Sequence, residues 1–115
     1  MKIAYSTKAL SKRKAIKREI REKFGPSVAD EVSAHISKRI ASLKRFPQMG
    51  ASLRTNYHLG CDYYILFVEH NYFVYRIQGD IILILEVFNE KEDFIYQLFG
   101  VQTTTQDTID FWGEG

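Results

Sequence analysis

Three apolar runs separated by two-residue connectors occupy residues 63–88, and that spacing leaves the chain few folds to choose from. Tyr63 to Glu69, Tyr72 to Gln78 and Ile81 to Phe88 are rich in Tyr, Ile, Val and Phe, side chains that suit a pleated, half-buried surface. The connectors His70-Asn71 and Gly79-Asp80 have hairpin length. A three-strand antiparallel meander is the expectation. The last run is apolar on both faces, with Ile81, Leu83, Leu85 and Val87 opposite Ile82 and Ile84, which predicts a central strand.

Upstream of the meander the period changes from two to that of a helix. Lys2 to Ser6 alternates Ile3 and Tyr5 with polar residues and reads as a short strand. Thr7 is the expected N-cap of a helix over Lys8 to Phe24. Its apolar stripe is narrow: Ala9, Ile16, Ile20 and Phe24, with Leu10 beside them. Gly25 and Pro26 stop that helix and open the next. The second helix, to Arg45, carries a regular stripe of Ala29, Val32, Ile36, Ile40 and Leu43. A two-residue joint predicts an antiparallel helical hairpin. Phe46 to Asp62, with Pro47, Gly50, Ser52, Asn56 and Gly60, reads as loop, and Asn89 as the cap of a last helix from Glu90 to Phe99. The expected fold class is α+β, in the order β-α-α-β-β-β-α, with the N-terminal strand and helical hairpin packed on one face of an antiparallel sheet. One domain spans 1–100, and 101–115 is an acidic tail expected to be flexible.

Of the fourteen acidic residues, Asp107, Asp110 and Glu114 lie beyond Val101, where no Lys or Arg occurs, so the body carries a net charge of +5. A basic body suits a polyanionic or acidic macromolecular partner, although a solvated surface alone needs no more. No apolar run is long enough to span a membrane. The single cysteine, Cys61, excludes an internal disulfide and, with no export signal, points to the cytoplasm. No metal or other cofactor is expected, because neither Cys61 nor the scattered His35, His58 and His70 falls at ligand spacing.

Glycine-rich phosphate loops and nucleophile elbows are also missing. Metal-free cleavage of RNA needs a base for the 2′-hydroxyl, a cation at the phosphorane and an acid for the leaving oxygen. Arg54, His58, Arg76 and Lys91 are the side chains able to fill those roles. Tyr72, Val74 and Arg76 share one strand face by the period of two, so Arg76 with Arg54 and Lys91 could form a phosphate-binding cluster. Each has a bland alternative, Arg76 as an edge residue that snorkels to water and His58 as a loop residue.

The sequence RFPQMG at 45–50 and the run NYFVYRIQGDIILILEVFNEKEDF at 71–94, behind a strand and a basic helical hairpin, resemble the RelE/ParE superfamily of type II toxin–antitoxin toxins. The likeness covers residues 2–99. It implies a small growth-inhibiting toxin held in a hetero-oligomer by a cognate acidic antitoxin. The antitoxin would grip the first helix, through Leu10, Arg13, Ile16, Lys17, Ile20 and Phe24. Within the superfamily, RelE-like members cut mRNA in the ribosome and ParE-like members poison DNA gyrase without being nucleases. Tyr72 stands where the nuclease branch commonly has a basic residue, Asn89 stands where many members have His, and Lys91 is followed by Glu92. Asn cannot shuttle a proton, and a carboxylate there repels phosphate. The resemblance therefore implies the ParE-like branch, with Arg54, Tyr72, Arg76, Asn89 and Lys91 as target-contacting residues. A ribosome-dependent mRNA endoribonuclease is the first alternative and a small nucleic-acid-binding module using the basic helix the second.

Overall fold

A computed structural model of the chain describes residues 1–94 and Leu98. The elements run β1 (Lys2–Tyr5), α1 (Thr7–Phe24), α2 (Pro26–Ala41), a 3-10 turn (Ser42–Lys44), β2 (Ala51–Ser52), α3 (Leu53–Tyr57), β3 (Tyr64–Val68), β4 (Asn71–Gln78) and β5 (Ile81–Asn89). The five strands form one sheet in the order β1-β5-β4-β3-β2. The meander is present, and the fold class is the expected α+β. The sheet is mixed rather than antiparallel, because β1 lies parallel to β5, with Ile3 opposite Ile82 and Tyr5 opposite Ile84. A parallel neighbour needs a long crossover, and the α1–α2 hairpin lies within it. That pairing also makes β5 an inner strand while β4 takes the middle of the sheet.

Both sheet faces are covered, which explains the two-sided apolar character of the strands. On one face Ala9 of α1 and Ile36, Ile40 and Leu43 from α2 and its 3-10 extension pack on Leu66, Phe73, Tyr75, Ile82 and Ile84. Phe73, Tyr75, Ile82 and Ile84 are fully buried, each contributing roughly 1.5–3 kcal/mol. On the other face Leu53 and Leu59 cover Ile65, Val74 and Phe88, with Phe94. The 46–62 segment is thus more than a loop. Ser52 accepts a hydrogen bond from the Thr55 amide and starts α3, which the buried Leu53 pins to the sheet.

Local chemistry moves several boundaries. Ser6, not Thr7, caps α1: its backbone is extended, and its Oγ accepts from Ala9 N while donating to Leu85 O. That carbonyl is available because Leu85 is the extra residue of a bulge, Val74 facing Glu86 and Tyr75 facing Ile84. The first hairpin turns at Glu69-His70 rather than His70-Asn71, both residues being left-handed (φ 51° and 65°) as such two-residue turns require. Asn71 instead enters β4, opposite Asn89. The second turn, Gly79-Asp80, is as expected, with Gly79 at φ 58°. The helix expected from Glu90 starts later. Glu90 to Glu92 form a turn in which Asn89 Oδ1 accepts from Lys91 N and Glu92 Oε2 accepts from Asn89 N. Phe94 and Leu98 are helical; the rest of that helix and the 101–115 tail fall outside the described residues.

Candidate functional site

The first helix is tied to the body by polar contacts as well as by apolar ones. Ala9 is its one fully buried residue, whereas Leu10 and Phe24 are 41% and 66% exposed. Arg13 is committed inward: its guanidinium donates to Tyr5 Oη, Ser33 O and Ser37 Oγ, tying α1 to α2 and β1. Lys17 pairs with Asp30 of α2 at 3.5 Å. Ile16 and Ile20 lie half-buried, one turn apart, and with Phe24 they leave an apolar strip. That strip borders a hollow of about 190 Å³ whose far wall is the β3–β4 turn (Glu69, His70) and Asn71 with Asn89. A second hollow of about 200 Å³ continues it along Lys12, Ala15 and Ile16 toward Val87 and Glu92. The six residues expected to meet an antitoxin therefore fall into three groups. Ile16, Ile20 and Phe24 line an open groove, Arg13 and Lys17 hold the hairpin together, and Leu10 stands exposed.

Two histidine–carboxylate contacts that sequence reading did not single out hold the groove's far wall. His35 Nδ1 meets Glu69 Oε1 at 2.6 Å and His70 Nδ1 meets Glu90 Oε2 at 2.8 Å. Asn71, buried, donates through Nδ2 to Glu69 O and fixes the turn from inside.

Glu86 is a buried charge held by three partners. It sits on β5 just past the end of β1, where the strand edge is open. Lys8 and Lys12, one helical turn apart, reach its two oxygens at 2.8 Å each. Val87 N adds a third bond, and Lys12 also donates to Val87 O and lies over the Phe88 ring. Burial works against the charge, but these hydrogen bonds from Lys12, Lys8 and the amide outweigh it and hold the carboxyl below its ordinary range. The clasp fixes the start of α1, and with it the angle of the groove.

On the sheet face opposite the helices stand the residues considered for nuclease chemistry. The Tyr72 ring lies between Phe67 and Phe94, with centroids 4.9 and 4.8 Å away. Arg76 faces Asp62 at 3.5 Å, and Arg54 Nε donates to Cys61 O, so the 53–63 connector brings Arg54 and Arg76 to one region. His58 is the left-handed C-cap of α3 and is exposed. Asn89 instead lines the α1 groove on the helix side, at the other end of the sheet, and Lys91 follows it in the turn. Asn89 pairs with Asn71, five residues along β4 from Arg76, a separation of roughly 16 Å. The sheet thus brings Arg54 near Arg76 and leaves Asn89 and Lys91 apart from them.

Tyr75 explains why FPQMG stands where it does. Its hydroxyl donates to Pro47 O at 2.7 Å and accepts from Gly50 N at 3.1 Å. A Cβ on Gly50 would come within 2.6 Å of Ile65 O and 2.7 Å of that hydroxyl. Burial pushes the phenol up to about 12, even though the Gly50 amide favours its anion.

No group of three or more His, Cys, Asp or Glu among the described residues could hold a metal ion. None of their helices is long and apolar enough to cross a membrane. The family model for the ParE toxin of type II toxin–antitoxin system, parDE, matches residues 3–94. Among solved structures, the chain is similar to one described as the chromosomal ParDE TA system from P. aeruginosa. The TM-score is 0.64 at 21% identity, over 77% of this chain and 95% of that one, and the likeness shows the fold. No curated protein matches the chain.

Proposed function

The chain belongs to the ParE toxin family of type II toxin–antitoxin systems, and from that premise we propose that it stops growth by binding DNA gyrase and that a cognate acidic antitoxin neutralises it through the α1 groove. Action by contact is supported by one observation above the others. The face where acid–base chemistry would sit has its tyrosine packed on two rings and its arginine opposite a carboxylate, about 16 Å along the sheet from Asn89, which lines the α1 groove. Cleavage of a phosphodiester needs its groups within hydrogen-bond reach of one phosphate.

The antitoxin reading is supported by the strip Ile16, Ile20 and Phe24. These residues recur every four positions, the spacing that receives an amphipathic segment. Lys14, Arg18 and Arg21 are exposed on the same helix and supply the positive field that steers an acidic chain.

Induction of the protein without antitoxin separates the branches. The reading expects a DNA-damage response with full-length transcripts. Transcripts cut within codons, with no damage response, would assign it to the ribosome-dependent nucleases instead.

A further inference from the structure

A further apolar hollow opens beside the 45–49 segment, at the Ile77 end of β4. It measures about 660 Å³ and is lined by Arg45, Phe46, Pro47, Gln48, Met49 and Ile77. Phe46 is 57% exposed on its rim, with the Arg45 guanidinium 5.6 Å from its ring centroid. The Tyr75 bonds to Pro47 and Gly50 make this wall rigid. We propose that the hollow receives the Ile109-Asp110-Phe111-Trp112 segment of the chain's own C-terminus.

Charge selects this pairing. Between Glu31 and Asp62 the sequence has Lys38, Arg39, Lys44, Arg45 and Arg54 and no acidic residue, whereas 101–115 has three acidic residues and no basic one. The groove along α1 is the competing apolar surface, but in its lining Lys23 is already paired with Glu19, whereas Arg45 at the 45–49 hollow has no carboxylate beside it in that lining. Arg45 is the one charged residue lining the hollow at 45–49. Shape agrees: an aromatic pair flanked by carboxylates places its rings against Phe46, Met49 and Ile77 and leaves Asp110 for Arg45.

The chain is long enough. Leu98 packs in the cluster that includes Tyr72. Ile77 lies five residues along β4 on the helix-side face, roughly 17 Å away with on the order of 10 Å more to cross the sheet. The eleven residues from Leu98 to Ile109 reach roughly 36 Å when extended. Tethering at that length gives a local concentration in the millimolar range, so a weak contact suffices.

Trp112 is the sole tryptophan, so its emission reads the contact directly in the full chain. Docking predicts blue-shifted, acrylamide-protected emission that is independent of protein concentration. Phe46→Ala and Arg45→Glu should each move it to the position of free tryptophan, and Asp110→Lys should restore the shift in the Arg45→Glu background. Both altered side chains are exposed, and urea melts followed by circular dichroism verify that each variant folds. Emission at the free-tryptophan position in the unaltered chain overturns the proposal. So does a blue shift unaffected by folded Phe46→Ala, or one that disappears on dilution, which would place the segment on a second copy.

Discussion

Replacing Tyr75 by Phe removes one oxygen and leaves the packing of the sheet in place. Two partners lose their bond: Pro47 O, at 2.7 Å, and Gly50 N, at 3.1 Å. A typical bond contributes about 1 kcal/mol net, and a buried group left without a partner costs about 1–3 kcal/mol. Tyr75 is fully buried, so the expected loss is about 2–3 kcal/mol. In urea, with a slope of about 1.5 kcal/mol/M, the midpoint should fall by about 1.5 M at unchanged slope. The pH dependence gives an independent check. The phenol is raised from 10 to about 12 in the folded protein, so its contribution is whole below pH 10 and is lost as pH rises through 12. Two units correspond to roughly 3 kcal/mol. The gap between wild type and Tyr75→Phe should therefore close over that interval. A midpoint change below about 0.3 M at pH 7, or a gap constant from pH 9 to 12, would refute the clamp.

Other expectations follow from the same contacts. Gly50→Ala should cost at least about 2 kcal/mol, because its Cβ would meet the Ile65 backbone at 2.6 Å; thermal melting measures it. Glu86→Gln, which weakens the double lysine clasp, should lower stability at pH 7 by about 2–3 kcal/mol. The Glu86 carboxyl is depressed from 4.5, so its contribution is present above that pH and is lost as pH falls through its folded value; urea titrations at pH 7 and in that acid range should show the gap narrowing. Ser6→Ala removes the cap of α1 and the bond to Leu85 O and should cost about 1–2 kcal/mol by the same melts. Phe24→Asp should leave stability within about 0.5 kcal/mol yet weaken antitoxin binding at least about tenfold by calorimetry.

The elements that periodicity determines were legible in the sequence: both long helices, the three-strand meander and the Gly79 turn. What it did not reveal depends on long-range pairing. The parallel seat of β1 on β5 could not be read from Lys2–Tyr5, since an alternating strand looks alike beside either partner. The two-residue β2 and the five-residue α3 were too short for a period, although Ser52 followed by Leu53 is a cap before a buried residue. Glu86 looked like an interruption in an apolar strand, and its lysines lie more than seventy positions away. Of the expected antitoxin contacts, Ile16, Ile20 and Phe24 border the groove, and Arg13 and Lys17 turn to α2. Helical spacing alone could not assign them, because both sets lie on adjoining sides of α1.

Purified gyrase, assayed for ATP-dependent supercoiling against increasing protein, tests the central claim most directly. The account predicts a dose-dependent loss of supercoiled product that is restored when the cognate antitoxin is added in equal amount. Undiminished supercoiling at saturating protein, with the same preparation cutting ribosome-bound mRNA, would contradict it.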